Sequence, residues 1–146
     1  MTKGVELRKI AETRLKAAKS LLDGKDFDLA VDMMGLSLEC ALKACICKVL
    51  NLKQYPDTGE SKNILDIFKT HLFDNLLILS GMQNDIQLEA NSQLFQNWST
   101  ATQMWSANVK YLPIGTIKKE DAERMYAALT EMSYGIITWI TENKKW

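Results

Sequence analysis

From Phe27 to Val49 the chain is apolar almost all the way round a helix, yet Glu39 and Lys43 stand one turn apart at its centre. A helix that is apolar on most sides needs neighbours on most sides. The expected fold is therefore all-α, an up-and-down bundle of about five helices arranged around this segment as a single domain over residues 1–146. A chain of that length buries a core without disulfides or a structural metal.

Helical spacing continues on both sides of the central segment. Leu7, Ala11, Leu15, Ala18 and Leu22 make one apolar stripe on a first helix that stops near Asp23-Gly24, where glycine can take the left-handed conformation. Asp26 is placed to cap the second helix, and so short a connection makes the two helices antiparallel neighbours. Pro56 and Gly59 mark Asn51 to Lys62 as a loop. Asn63 to Gly81 reads as a helix that can break near Thr70, and Asn84 or Asp85 can cap a long helix carrying Phe95, Trp98, Thr102, Trp105 and Val109 until Pro113 and Gly115 end it. A last helix from Thr116 or Lys118 carries Ala122, Met125, Leu129, Met132, Ile136 and Trp139 as one seam, with Glu120, Asp121 and Glu123 near its start and Lys144 and Lys145 near its end, as the helix dipole favours.

Charge narrows the functions open to such a bundle. Lysine plus arginine and aspartate plus glutamate number 18 each, so the chain lacks the overall basicity of a protein held to nucleic acid mainly by phosphate contacts. The first helix is an exception, with six basic residues (Lys3, Arg8, Lys9, Arg14, Lys16, Lys19) against Glu6 and Glu12. A solvated face explains this excess, and an anion or RNA contact is the alternative. No secretory signal and no stretch of membrane-spanning length is evident, so a cytoplasmic location with no membrane contact is expected. Cys40, Cys45 and Cys47 lie on one helix, with no Cys-x-x-Cys and no histidine pair, which suits small buried thiols in a reducing compartment better than a disulfide or zinc. Glycine-rich phosphate loops are absent, and no metal or cofactor is expected.

Three local patterns stand in order along the chain. They are Ala30 to Ala44 with Glu39-Cys-Ala-Leu-Lys43-Ala at its core, Thr70-His71-Leu72 followed by Leu76-Leu77 and Ser80-Gly81, and Trp105 with Lys110-Tyr111. Together with Arg14-Leu15, Ala18, Leu21-Leu22 and Asp26-Phe27-Asp28 in the opening segment, they resemble the HEPN family of compact helical domains. The resemblance implies a homodimer formed through helical faces. It also implies nucleotide, RNA or a nucleotidyltransferase-like partner encoded nearby, in toxin–antitoxin or defence systems. Ribonuclease members of the family place an arginine four to six residues before a histidine. Here the only histidine is His71, and Ile64, Leu65 and Asp66 occupy the positions that would hold arginine; Arg8, Arg14 and Arg124 have no histidine downstream at that spacing. His71 matches better a histidine that many members place at the start of the third helix.

The leading expectation is thus a non-catalytic binding or accessory module whose candidate contact residues are Glu39, Lys43, Trp105, Lys110 and Tyr111. Glu39 and Lys43 can fix helix register or face a ligand. The Phe95, Trp98 and Trp105 stripe can be core, a subunit interface or a stacking surface for bases. His71 is the one weak catalytic candidate, for a divergent metal-independent endoribonuclease with Arg14 or Lys110 near the scissile phosphate. A purely structural dimerisation domain is the remaining alternative.

Overall fold

The computed structural model describes residues 2–56, 65–88 and 92–146, and the described residues form helices and turns with no strand. Among the described residues seven α-helices follow one another, where the sequence suggested about five: α1 Gly4–Asp23, α2 Phe27–Val49, α3 Phe73–Ser80, α4 Gln83–Gln87, α5 Gln93–Met104, α6 Lys119–Thr130 and α7 Ile136–Glu142. Single 3-10 turns lie at Leu65–Phe68 and Val109–Tyr111.

α2 is the axis of the bundle, as its composition requires. Met34, Leu38, Leu42 and Ile46 are fully buried, and burial of side chains of this size stabilises the fold by about 1.5–3 kcal/mol each. α1 runs antiparallel along it, through small residues: Ala11 and Ala18 are fully buried, and the Ser37 hydroxyl donates to the Ala11 carbonyl at 2.6 Å. Asp26 caps α2 by accepting from the Leu29 amide, and Cys40, Cys45 and Cys47 are buried free thiols. The α1–α2 turn departs from expectation in one residue. Gly24 has φ −79°, and Lys25, at φ 63°, takes the left-handed position instead.

The longer expected helices are interrupted. The start of the Asn63–Gly81 segment lies outside the described residues; from Leu65 a 3-10 turn leads through Lys69 to Leu72 into α3, so the chain does break near Thr70, and α3 closes on Gly81 at φ 73°. The segment expected to run from Asn84 to Val109 is α4 and α5, with Met82 at the first N-cap position making no side-chain bond and Ser92 capping the second helix, in place of Asn84 or Asp85, and α5 stops at Met104 because Trp105 is extended (φ −135°, ψ 141°). The Phe95-to-Val109 stripe is therefore not one helical face, although Trp98 and Trp105 are both buried.

The C-terminal seam is likewise divided. Thr130 ends α6, Met132 is 87% exposed where a core position was expected, and Ser133 adopts φ 69°. Asn97 on α5 holds the break: its amide nitrogen donates to Glu131 Oε1 and to the Tyr134 carbonyl, both at 2.8 Å, and Thr138 donates to the Thr130 carbonyl. Gly135 is required here, since a Cβ at that position would meet the backbone nitrogen of Glu131 at 2.5 Å. The 3–4 periodicity persists across the break because Met125, Leu129, Ile136 and Ile140 face the same core from two helices.

Candidate functional site

The polar residues inside α2 converge with the α3 entrance. Lys43 Nζ stands 2.9 Å from Glu39 Oε1, with 10% and 7% of the two side chains exposed, and His71 Nδ1 stands 2.7 Å from the same oxygen. One carboxylate thus holds a helical neighbour and a residue 32 positions away. A carboxylate oxygen accepts, so the histidine donates through Nδ1–H and Nε2 is the ring nitrogen left outside this contact. His71 is 64% exposed, which places the imidazole at the rim and the carboxylate beneath it.

Tyr55 completes the cluster. Its ring centroid lies 5.0 Å from Lys43 Nζ, and its hydroxyl donates to the Phe68 carbonyl at 2.7 Å, fixing the 3-10 turn above α2. Tyr55 and His71 therefore bracket the turn, both against the Glu39–Lys43 pair. Tyr55 went unnoticed in the sequence because it sits among polar loop residues; an aromatic in such a loop was the only signal.

Beside His71 lies an open cavity of about 340 Å³, lined among others by His71, Phe73, Asn75, Thr102, Trp105 and Ser106. Trp105 forms its wall. The indole lies over Gly35 of α2, where an added Cβ would come within 2.2 Å of three ring atoms, and Phe73 stacks against it with centroids 4.9 Å apart and planes at 23°. The ring faces are occupied by protein, so Trp105 packs the core and does not offer a base-stacking platform. Its Nε1–H is buried without an acceptor among the described residues, while Trp98 Nε1 donates to Asp74 at 3.2 Å.

The structure thus brings Glu39, Lys43, His71 and Trp105 to one region. Lys110 and Tyr111 lie outside it, on the Val109–Tyr111 turn, where Lys110 Nζ is 5.4 Å from the Tyr111 ring centroid and Tyr111 is 77% exposed. Electrostatics mark the same part of α2. The Cys40 thiol is pushed up to about 11, by burial first and by the adjacent Glu39 charge second, with Lys43 and Arg14 acting the other way. Burial pushes Cys45 up to about 12. Both are protonated near neutrality and poorly suited to nucleophilic chemistry. Among the described residues no three metal-ligating side chains come together, and no helix is long and apolar enough to cross a membrane.

Antiparallel helices around one buried helix, with an ion pair and a rim histidine at its centre, define a compact all-helical domain. The family model of the HEPN domain matches residues 5–134, and the chain belongs to that family. No curated protein and no solved structure matches it.

Proposed function

We propose that the chain is a homodimeric HEPN-type binding and accessory module that engages nucleotide, RNA or a nucleotidyltransferase-type partner in a toxin–antitoxin or defence setting, and that it does not cut RNA. The observation that carries this reading is the contact of His71 with Glu39. The lone histidine is tied to a carboxylate already matched by Lys43, an arrangement that anchors the connection into α3 on the central helix. Membership of the family supports a nucleotide- or RNA-related context, and the cavity beside His71 is large enough for a small ligand.

The test is calorimetric titration of the purified protein with nucleotides and with a nucleotidyltransferase, should one be encoded beside it, alongside an RNA cleavage assay. Binding in either titration with RNA left intact is the expected result. Cleavage by the wild-type protein that disappears in His71→Ala would overturn the reading. That outcome belongs to the second interpretation, a divergent metal-independent endoribonuclease, which one feature favours: an exposed imidazole whose Nδ1 is held by a buried carboxylate is oriented for proton transfer at Nε2.

A further inference from the structure

α1 has one close neighbour. α2 packs against it until Ala11 and Ala18 are fully buried, but between α1 and the α6–α7 pair lie two open cavities of about 520 and 580 Å³, which adjoin at Lys19 and Tyr126. They form one groove that follows α1 from Glu12 to Asp23, roughly 16 Å by helical rise, and runs on past the helix end to Phe27. Leu15 and Leu22, seven positions apart on α1, stand along it with Phe27, Tyr126 and Trp146, and all five are only partly buried. A row of half-covered apolar side chains at helical spacing is a surface that the apolar face of another helix completes.

Polar groups limit what can lie there. The Thr138 and Thr141 hydroxyls donate to the carbonyls of Thr130 and Ile137, at 3.1 and 2.9 Å, so the α7 wall keeps no free hydroxyl proton to orient a small polar ligand. At the rim, Glu12 pairs with Arg8, Asp23 with Lys19 and Glu123 with Lys119, while Glu131 accepts from Asn97. Lys16 and Lys25 on the α1 side and Glu142 on the α7 side have no ion-pair partner among the described residues. The α1 lip therefore offers two free cations and no free anion, which favours an acidic edge on whatever lies against it and disfavours a basic one.

We propose that this groove docks an amphipathic helix of a partner protein, with its apolar stripe laid on Leu15, Leu22 and Tyr126 and its acidic flank turned to Lys16 and Lys25. The groove shares no residue with the cavity beside His71, so the docking goes beyond the ligand assigned there and stands or falls apart from it. The probes are two fluorescein-labelled synthetic helices of about 16 residues, roughly 24 Å long, that carry the same leucine stripe, flanked by glutamates in one and by lysines in the other. Anisotropy is followed at about 0.1 M salt, where the Debye length is about 10 Å. Wild-type protein should bind the glutamate-flanked helix at least about tenfold tighter than the lysine-flanked one. Lys16→Glu combined with Lys25→Glu should reverse that preference, and because both side chains are exposed, circular dichroism of the double variant should match wild type. Lys3→Glu combined with Lys53→Glu makes the same change of charge at exposed residues that line neither cavity, and should keep the wild-type preference. Leu15→Ala should weaken both helices at least about fivefold through lost apolar contact. The proposal is overturned if neither helix binds, if the Lys16 and Lys25 variant keeps the wild-type preference, if the Lys3 and Lys53 variant loses it, or if folded Leu15→Ala binds like wild type. Binding of Nile red without either helix would give the groove to a small apolar molecule, and a dimer in sedimentation equilibrium that the Lys16 and Lys25 variant dissolves would give it to a second copy of this chain; both results overturn the proposal.

Discussion

Replacing Gly35 by alanine should destabilise the protein, against the ordinary preference of helices. In a helix interior the change gains about 0.8–1 kcal/mol of propensity. Here the new methyl would sit 2.2 Å from Cδ1, Cδ2 and Cε2 of Trp105, whereas carbon atoms rest at about 3.5–4.0 Å, so the indole must retreat by more than about 1 Å against Phe73. Overpacking of a tight core costs about 1–3 kcal/mol, and a rigid ring met face-on belongs at the upper end. The net loss is about 2 kcal/mol, a fall in Tm of about 6 °C for a domain of this size. The sign should reverse once the ring is gone: in a Trp105→Ala background, itself about 3–5 kcal/mol less stable, Gly35→Ala should become neutral or stabilising by up to about 1 kcal/mol. Urea denaturation of the four proteins in this cycle gives both numbers. An equal unfolding free energy for Gly35→Ala and wild type, or the same effect in both backgrounds, would refute the close approach of Trp105 to α2.

Lys43→Ala leaves the buried Glu39 carboxylate with only the rim histidine and should cost about 3–5 kcal/mol, whereas Glu39→Gln with Lys43→Met together should cost much less, a contrast measurable by chemical denaturation. Asn97→Ala removes both donor bonds across the α6–α7 break; a loss of about 2–3 kcal/mol is expected, with faster amide exchange at residues 131–135 than in α2, and unchanged exchange there would count against the clamp. The cysteines set an alkaline limit. With Cys40 at about 11 in the folded state against an ordinary 9.0, both states keep the thiol protonated below pH 9, and above it the unfolded chain ionises first. Stability should therefore fall from pH 9 towards 11, by about 3 kcal/mol from this residue at 1.36 kcal/mol per pH unit, and Cys40→Ala should flatten that limb in denaturation series run across the range.

What was legible in the sequence was what repeats locally. The all-round apolarity of Phe27–Val49 placed α2 at the centre, and Asp26 and Gly81 marked real helix ends because capping chemistry is a matter of a few adjacent residues. The Glu39–Lys43 pair followed from one helical turn. The break between α6 and α7 was hidden because both helices keep the same face towards the core, so the pattern runs on while the backbone does not. Its cause, Asn97, bonds to residues 34 and 37 positions later. The His71–Glu39 contact spans 32 positions, and the groove beside α1 joins residues near 15, 126 and 140; no periodicity reports such meetings.

The shared oxygen of Glu39 also constrains how this chain can diverge. Losing the lysine strands an anion in the interior, losing the glutamate strands a cation, and only a wholesale exchange for apolar side chains of similar bulk avoids both penalties. Positions 39 and 43 should therefore travel through descent as a linked set, whereas 71, exposed at the rim beside a carboxylate that Lys43 already pairs, is freer to drift.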